Sequence, residues 1–144
     1  MAYQARRKKL YEEDFELVDE NGVTCHVLHV ALDPDAMAAK LSAKHLALVK
    51  ALQKVHSVDA KESPEEALEV IGNATTDILE AVFGQEDAKT IIGFYGGKYI
   101  MMTKEVIPFV TEVVIPEVRK MAKKNRKEIA AGYGRPKTPF FGRK

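Results

Sequence analysis

The chain has 144 residues, 46% of them hydrophobic, a length and composition typical of one globular domain with its own core. Its single cysteine, Cys25, excludes an internal disulfide and a cysteine-based zinc site. No apolar run is long enough to predict a membrane-spanning helix, and the basic N-terminus lacks the apolar segment of a secretory signal.

Charge is strongly separated along the sequence, although the net charge is only +1. Positions 6–9 are all basic, and residues 119–144 hold ten basic residues and one acid. The segment between them, 10–118, carries eight basic and twenty acidic residues. An acidic body with basic ends predicts pairing with further copies of the chain, with an acidic partner or with nucleic acid.

An N-terminal β-hairpin is the first predicted element. The dipeptide Asn21-Gly22 favours a two-residue turn because both residues accept the positive φ of a type I′ hairpin. The strands are expected at about 12–18 and 23–31, each with one face buried. Apolar positions alternate with polar ones at the start of the second strand, which assigns the Cys25 side chain to the core.

Two helices are predicted to follow the hairpin. Asp33-Pro34 combines an N-cap with a proline at the first helical position, and an apolar stripe runs on to Val55. A capping box at 63–66 begins the second helix, and Gly84 ends it. The apolar face of this second helix is expected to comprise Leu68, Ile71, Ile78, Leu79, Val82 and Phe83.

A short helical turn at 85–92 and a glycine-rich hinge lead to the last helix, expected from about 98 to 130. Pro108 and Pro116 should kink it or divide it, because proline removes an amide donor and crowds the preceding turn. The predicted class is therefore α+β, with a hairpin and then three to four helices. The predicted organisation is a basic arm (1–10), one domain (11–130) and a flexible basic C-terminal tail (131–144).

The sequence contains no recognisable catalytic or metal-binding pattern. None of the four histidines has acids or thiols at ligand spacing, and the motif H-E-x-x-H is absent. Cys25 has no partner for nucleophilic catalysis, because the adjacent His26 should point to the other face of the strand. The segment "GFYGGK" departs from a phosphate-binding loop, since Tyr99 follows Lys98. We therefore expect a protein that is not an enzyme and that uses no metal and no cofactor.

Two segments are predicted to bind partners. The first surrounds the hinge, where aromatic and methionine side chains suit an adaptable surface, although each is equally well explained as core: Phe94, Tyr95, Tyr99, Ile100, Met101 and Met102. The second is the basic tail, in which an adjacent phenylalanine pair favours ordering on a partner: Arg135, Lys137, Phe140 and Phe141. The last helix is also apolar nearly all round, which predicts self-association.

Four stretches give the chain a family resemblance: the helix end "ILEAVFG", the turn "QEDAKTII", the hinge "FYGGK" and the helix end "MAKKNRKEI". Over about residues 15–130 the sequence resembles the tail assembly chaperones of long-tailed, siphovirus-like bacteriophages. The resemblance implies a non-catalytic protein of the host cytoplasm that coats the tape measure protein and promotes assembly of tail tube protein around it. Members of that family often have a longer, frameshifted product. Pro108, Pro116 and the long basic tail depart from the family pattern.

Two other classes of protein stay open. One is a structural virion protein, such as a tail or connector protein that forms a ring. The other is a small nucleic-acid-binding regulator whose basic ends and aromatic residues track a strand. The acidic body and the lack of a nucleic-acid-reading motif favour a protein partner over nucleic acid.

Overall fold

The computed structural model describes residues 2–7, 9–56 and 64–133. Within them an antiparallel pair of strands, β1 (Tyr11–Val18) and β2 (Thr24–Leu32), precedes the helices. The helices are α1 (Pro34–His56), α2 (Pro64–Phe83), α3 (Gln85–Phe94), α4 (Tyr99–Glu105), α5 (Ile107–Phe109) and α6 (Ile115–Tyr133), with a π-helical segment, Val110–Val114, between α5 and α6. The predicted α+β class, with an N-terminal hairpin and a long, bent last helix, is confirmed.

The hairpin turn is built around the Asp19 side chain. Its Oδ1 accepts hydrogen bonds from the backbone N–H groups of Asn21 and Val23, each at 2.9 Å. The N–H of Gly22 donates to the Asp19 carbonyl at 3.0 Å, and Gly22 has a φ of 81°. The loop therefore has three residues, with the left-handed glycine closing it, instead of the two-residue turn that the sequence predicted.

The buried face of β2 differs from the prediction. A register shift lies between Leu17 and Val18, opposite Cys25, and the Cys25 side chain is exposed. The core face is instead set by the second half of the strand, where Leu28, Val30 and Leu32 are buried. The assignment of Cys25 to the core was therefore wrong, because β2 buries the opposite face: Val27, two residues along from Cys25 on the same face, is exposed as well.

Helix α1 begins as predicted, and its apolar stripe packs as predicted as far as Leu52; the side chain of Val55, where the predicted stripe ends, lies outside the described residues. The N–H of Asp35 donates to the Asp33 side chain at 3.1 Å, which satisfies one of the free amide groups of the first turn. Leu41 and Leu48 are completely buried, and the half-buried residues Met37 and Leu52 extend their stripe.

Helices α2 and α3 meet at Gly84, whose φ of 86° ends α2 as predicted. The capping-box residue Ser63 lies outside the described residues. The expected apolar face of α2 is buried except for Leu68, which is 48% exposed. Leu68 is therefore a correction to the predicted core.

The last helical stretch is divided as its two prolines predict. The N–H of Ile115 donates to the carbonyl of Val110, five residues earlier, in the wider turn of a π-helix. Pro116 has no amide proton for the carbonyl four residues before it, so a wider turn at this point avoids part of the conflict.

The core uses most of the apolar residues of that stretch. Buried there are Met102, Val106, Ile107, Val110, Val114, Ile115 and Val118. Between Tyr99 and Val118 the large apolar side chains left exposed are Ile100, Met101 and Val113, and further along α6 Ile129 is also exposed. The predicted surplus of apolar surface is therefore small and is concentrated at the start of α4. None of the described helices is long and apolar enough to cross a membrane.

Candidate functional site

The predicted hinge is a tight turn between α3 and α4. Gly96 and Gly97 have φ values of 62° and 74°, which side chains rarely permit. The N–H of Gly97 donates to the Ile92 carbonyl at 2.9 Å, and the N–H of Lys98 donates to the Tyr95 carbonyl at 3.2 Å. These bonds close the end of α3 and return the chain so that α4 packs against α2.

This turn brings most of the described partner-binding candidates together. Phe94 and Tyr95 end α3, while Tyr99, Ile100 and Met101 begin α4. Met102 is completely buried and belongs to the core, so it contributes no exposed surface. The four remaining candidates lie outside the described residues: Arg135, Lys137, Phe140 and Phe141.

One side of α4 forms a groove with the first turns of α2, here called the apolar groove, with a volume of about 690 Å³. Its exposed apolar side chains are Leu68, Ile100 and Met101, between 44% and 48% exposed. Tyr99 closes one wall, and charged residues form the rim: Glu65, Glu69, Lys98 and Lys104. The surface can therefore cover an apolar side chain while charged groups stay in water.

The position of Tyr99 depends on Gly72 of α2. A Cβ atom added at Gly72 would lie 2.9 Å from Cε2 of the Tyr99 ring, closer than carbon atoms approach in proteins. The missing side chain therefore lets α4 lie close to α2. Neither Gly72 nor Leu68 was identified as part of a site, because both fall inside an ordinary helical pattern.

The other side of α4 forms a second groove with the hairpin turn and the end of α3, here called the acidic groove, with a volume of about 750 Å³. Its floor is apolar and aromatic: Phe15, Val18, Phe94, Tyr95 and Met101. Its rim carries four carboxylates and no basic residue: Glu16, Asp19, Glu20 and Glu105. Met101 lines both grooves, so the two surfaces are continuous across α4.

The carboxylates of the acidic groove differ in their hydrogen bonding. Asp19 holds the hairpin turn, and Glu16 accepts a hydrogen bond from the Thr24 hydroxyl at 3.1 Å. Within the described part of the chain, Glu20 and Glu105 make no such contact, and both are exposed. Partial burial, and then the charge of Glu105, raise the pKa of Tyr95, so its hydroxyl stays protonated and can donate.

Among the described side chains, a clustered histidine, His29, lies elsewhere, on the outer face of the hairpin. His29 Nδ1 is 2.7 Å from Asp14 Oδ1, and Nε2 is 2.9 Å from Glu12 Oε1. Hydrogen bonds to Asp14 and Glu12 raise the pKa of His29. The three side chains are exposed and line neither groove, so the cluster has the form of a surface ion pair. Over the described ranges, no group of three or more potential ligands is placed to hold a metal ion.

Comparison with models of protein families, with curated proteins and with solved structures found no match for this chain. The chemistry of the two grooves is therefore the main guide to function. Their combination of exposed apolar side chains, aromatic rings and a charged rim suits the binding of a polypeptide segment.

Proposed function

We propose that this protein is a non-catalytic assembly chaperone that binds exposed apolar segments of a client protein. The client implied by the sequence resemblance is the tape measure protein of a long-tailed bacteriophage, bound in the host cytoplasm before the tail tube assembles around it. The observation that carries the proposal is the apolar groove, where Leu68, Ile100 and Met101 are all about half exposed beside a charged rim.

Physical chemistry supports a helical client for this groove. An amphipathic helix presents apolar side chains three and four residues apart, and a groove between two helices accepts such a row. Methionine adapts to different apolar shapes because its side chain is unbranched and polarizable. Many weak contacts of this kind, repeated along a long client, add up without any one of them being specific.

The proposal is tested by co-expression of the full-length chain with the tape measure protein of the same genome, followed by affinity capture. The variants Leu68→Glu and Ile100→Glu place a charge in the apolar groove, at side chains that do not line the acidic groove, and should lower the captured tape measure protein at least about tenfold, equivalent to about 1.4 kcal/mol. The matched control is Leu46→Glu, since Leu46 is 53% exposed on α1 and lines neither groove. Capture by the control should equal that of the wild type.

Three outcomes would contradict the proposal. Equal capture by the groove variants and the control would remove the apolar groove from client binding. Recovery of the chain alone, as a ring of fixed stoichiometry, would favour a structural tail or connector protein. Recovery of nucleic acid that is released steeply by salt would favour a nucleic-acid-binding regulator.

A further inference from the structure

The acidic groove and the basic C-terminal segment of the same sequence are opposite in charge, and both contain aromatic side chains. The groove rim carries carboxylates and no basic residue, while residues 134–144 carry four basic residues and no acid. The groove floor offers aromatic rings, and the segment contains the pair Phe140-Phe141. Aromatic rings pack well against each other, and basic residues on either side of the pair can meet the rim.

The acidic groove and the end of α6, at Tyr133, lie at opposite ends of the described structure. Three contacts fix the direction of the last helical stretch. Phe109 packs on Phe15 of β1, with ring centroids 4.6 Å apart. Glu117 lies near Tyr11 at the beginning of β1, where burial, and then the charges of Glu13 and Glu117, raise the pKa of the Tyr11 hydroxyl to about 12. Asn125 then reaches Asp35, beyond the end of β2. The helix thus runs away from the hairpin turn, where the acidic groove is.

This geometry makes an intramolecular contact too long for the chain. From Phe109, beside the groove, to Tyr133 the helix rises by roughly 35 Å. From Tyr133 to Phe140 the chain spans at most about 25 Å, even when fully extended. The phenylalanine pair therefore falls short of the groove of its own molecule.

We propose that the acidic groove binds the C-terminal segment, residues 134–144, of a second copy of this chain. Phe140 and Phe141 fill the aromatic floor, and basic residues of the segment pair with Glu20 and Glu105 on the rim. The C-terminal segment of each copy binds the acidic groove of the next copy. The contact is therefore head-to-tail and repeats from copy to copy. This association uses the acidic groove and does not depend on the client proposed for the apolar groove.

The proposal is tested by sedimentation of full-length variants at several protein and salt concentrations. The wild type should form oligomers larger than dimers that dissociate as salt rises. The groove variant Glu20→Lys/Glu105→Lys and the segment variant Phe140→Ser/Phe141→Ser should each weaken association by about tenfold or more. The control Glu112→Lys changes an exposed carboxylate outside both grooves and should associate as the wild type does.

Mixing the two variants gives the decisive measurement. The groove variant keeps an intact C-terminal segment, and the segment variant keeps an intact groove, so an equimolar mixture should form one-to-one dimers and nothing larger. A synthetic peptide of residues 131–144 should dissociate wild-type oligomers, while the same peptide with both phenylalanines changed to serine should not. A monomeric wild type, unchanged association of both variants or a mixture that stays monomeric would each overturn the proposal.

Discussion

His29 lies directly opposite Asp14 in the hairpin register, and its ring contacts Asp14 and Glu12 through both nitrogen atoms. These carboxylates favour the charged imidazolium and raise the pKa of His29 in the folded protein above its ordinary value of 6.5. A raised pKa in the folded state means that the interaction stabilises the protein fully below pH 6.5 and is lost as the pH rises through the folded value.

We therefore expect His29→Gln to lower the free energy of unfolding at about pH 5.5 and to have much less effect at about pH 8.5. Urea unfolding of wild type and variant at the two pH values measures the difference. His26→Gln is the control, because His26 is exposed on the same strand and makes no carboxylate contact among the described residues. An equal loss for His29→Gln at both pH values would show that the ion pair does not contribute.

For single residues, the sequence predicted which side chains are buried only where the apolar pattern was long. From Met37 to Leu52 the α1 stripe was predicted correctly, because its apolar residues repeat over about four helical turns. Cys25 was not, because apolar residues occupy both faces of β2, and only the pairing and packing of the strands decide which face is buried. The His29 cluster was missed for the same reason: its partners become neighbours only once the register of the strands is known.

The packing of α4 on α2 depends on one glycine of α2, Gly72. Alanine in place of glycine ordinarily stabilises a helix interior by about 0.5–1 kcal/mol. At Gly72 the new Cβ would press on Tyr99, whereas at Gly93 of α3 it would meet nothing within 4 Å. We expect Gly93→Ala to be stabilising, and Gly72→Ala to be less stable than Gly93→Ala by about 1–2 kcal/mol, because close-packed sites resist added volume.

Thermal or urea unfolding of the two variants measures this difference directly. Tyrosine fluorescence or the near-ultraviolet circular dichroism spectrum should change in Gly72→Ala and not in Gly93→Ala, since only the first displaces the Tyr99 ring. Equal gains in stability for both variants would contradict a tight contact between α2 and α4.

In the last helical stretch, the sequence predicts where the helix is interrupted but not the form of the interruption. Pro108 and Pro116 predicted a break, and the break is there. The π-helical form of Val110–Val114 could not be predicted, because its turns differ from α-helical ones by one residue in the hydrogen-bonding step. Pro116 favours a wider turn here, and in the π-helical form both Val110 and Val114 are completely buried.

At the scale of the molecule, both grooves combine segments that are distant in sequence. The acidic groove joins the hairpin turn to the end of α3 and to α4, more than seventy residues later. The sequence identified Phe94, Tyr95 and Met101 as candidates, but it gave no reason to place them beside Glu20. The sequence alone shows the charge separation, whereas the position of the acidic residues around one groove is known only from the fold.

Three phenylalanines join the hairpin to the helices. The Phe15 ring lies 5.5 Å from that of Phe83 and 4.6 Å from that of Phe109, and the last two are 6.0 Å apart. A two-stranded hairpin is only marginally stable alone. We therefore expect this cluster to make the hairpin unfold together with α2. We expect Phe109→Ala to lower the free energy of unfolding by about 2–3 kcal/mol, less than for a fully buried ring because Phe109 is half-buried.

Hydrogen exchange followed by mass spectrometry tests the coupling. In Phe109→Ala the amides of β1, β2 and α2 should all exchange faster by the same factor, about 30- to 150-fold for that loss, because they open together. Val113→Ala, at a side chain 38% exposed on the adjacent π-helical segment, should change exchange by less than about threefold. If only the hairpin amides exchanged faster in Phe109→Ala, the hairpin would open separately from the helices, and the acidic groove at its turn would be lost without global unfolding.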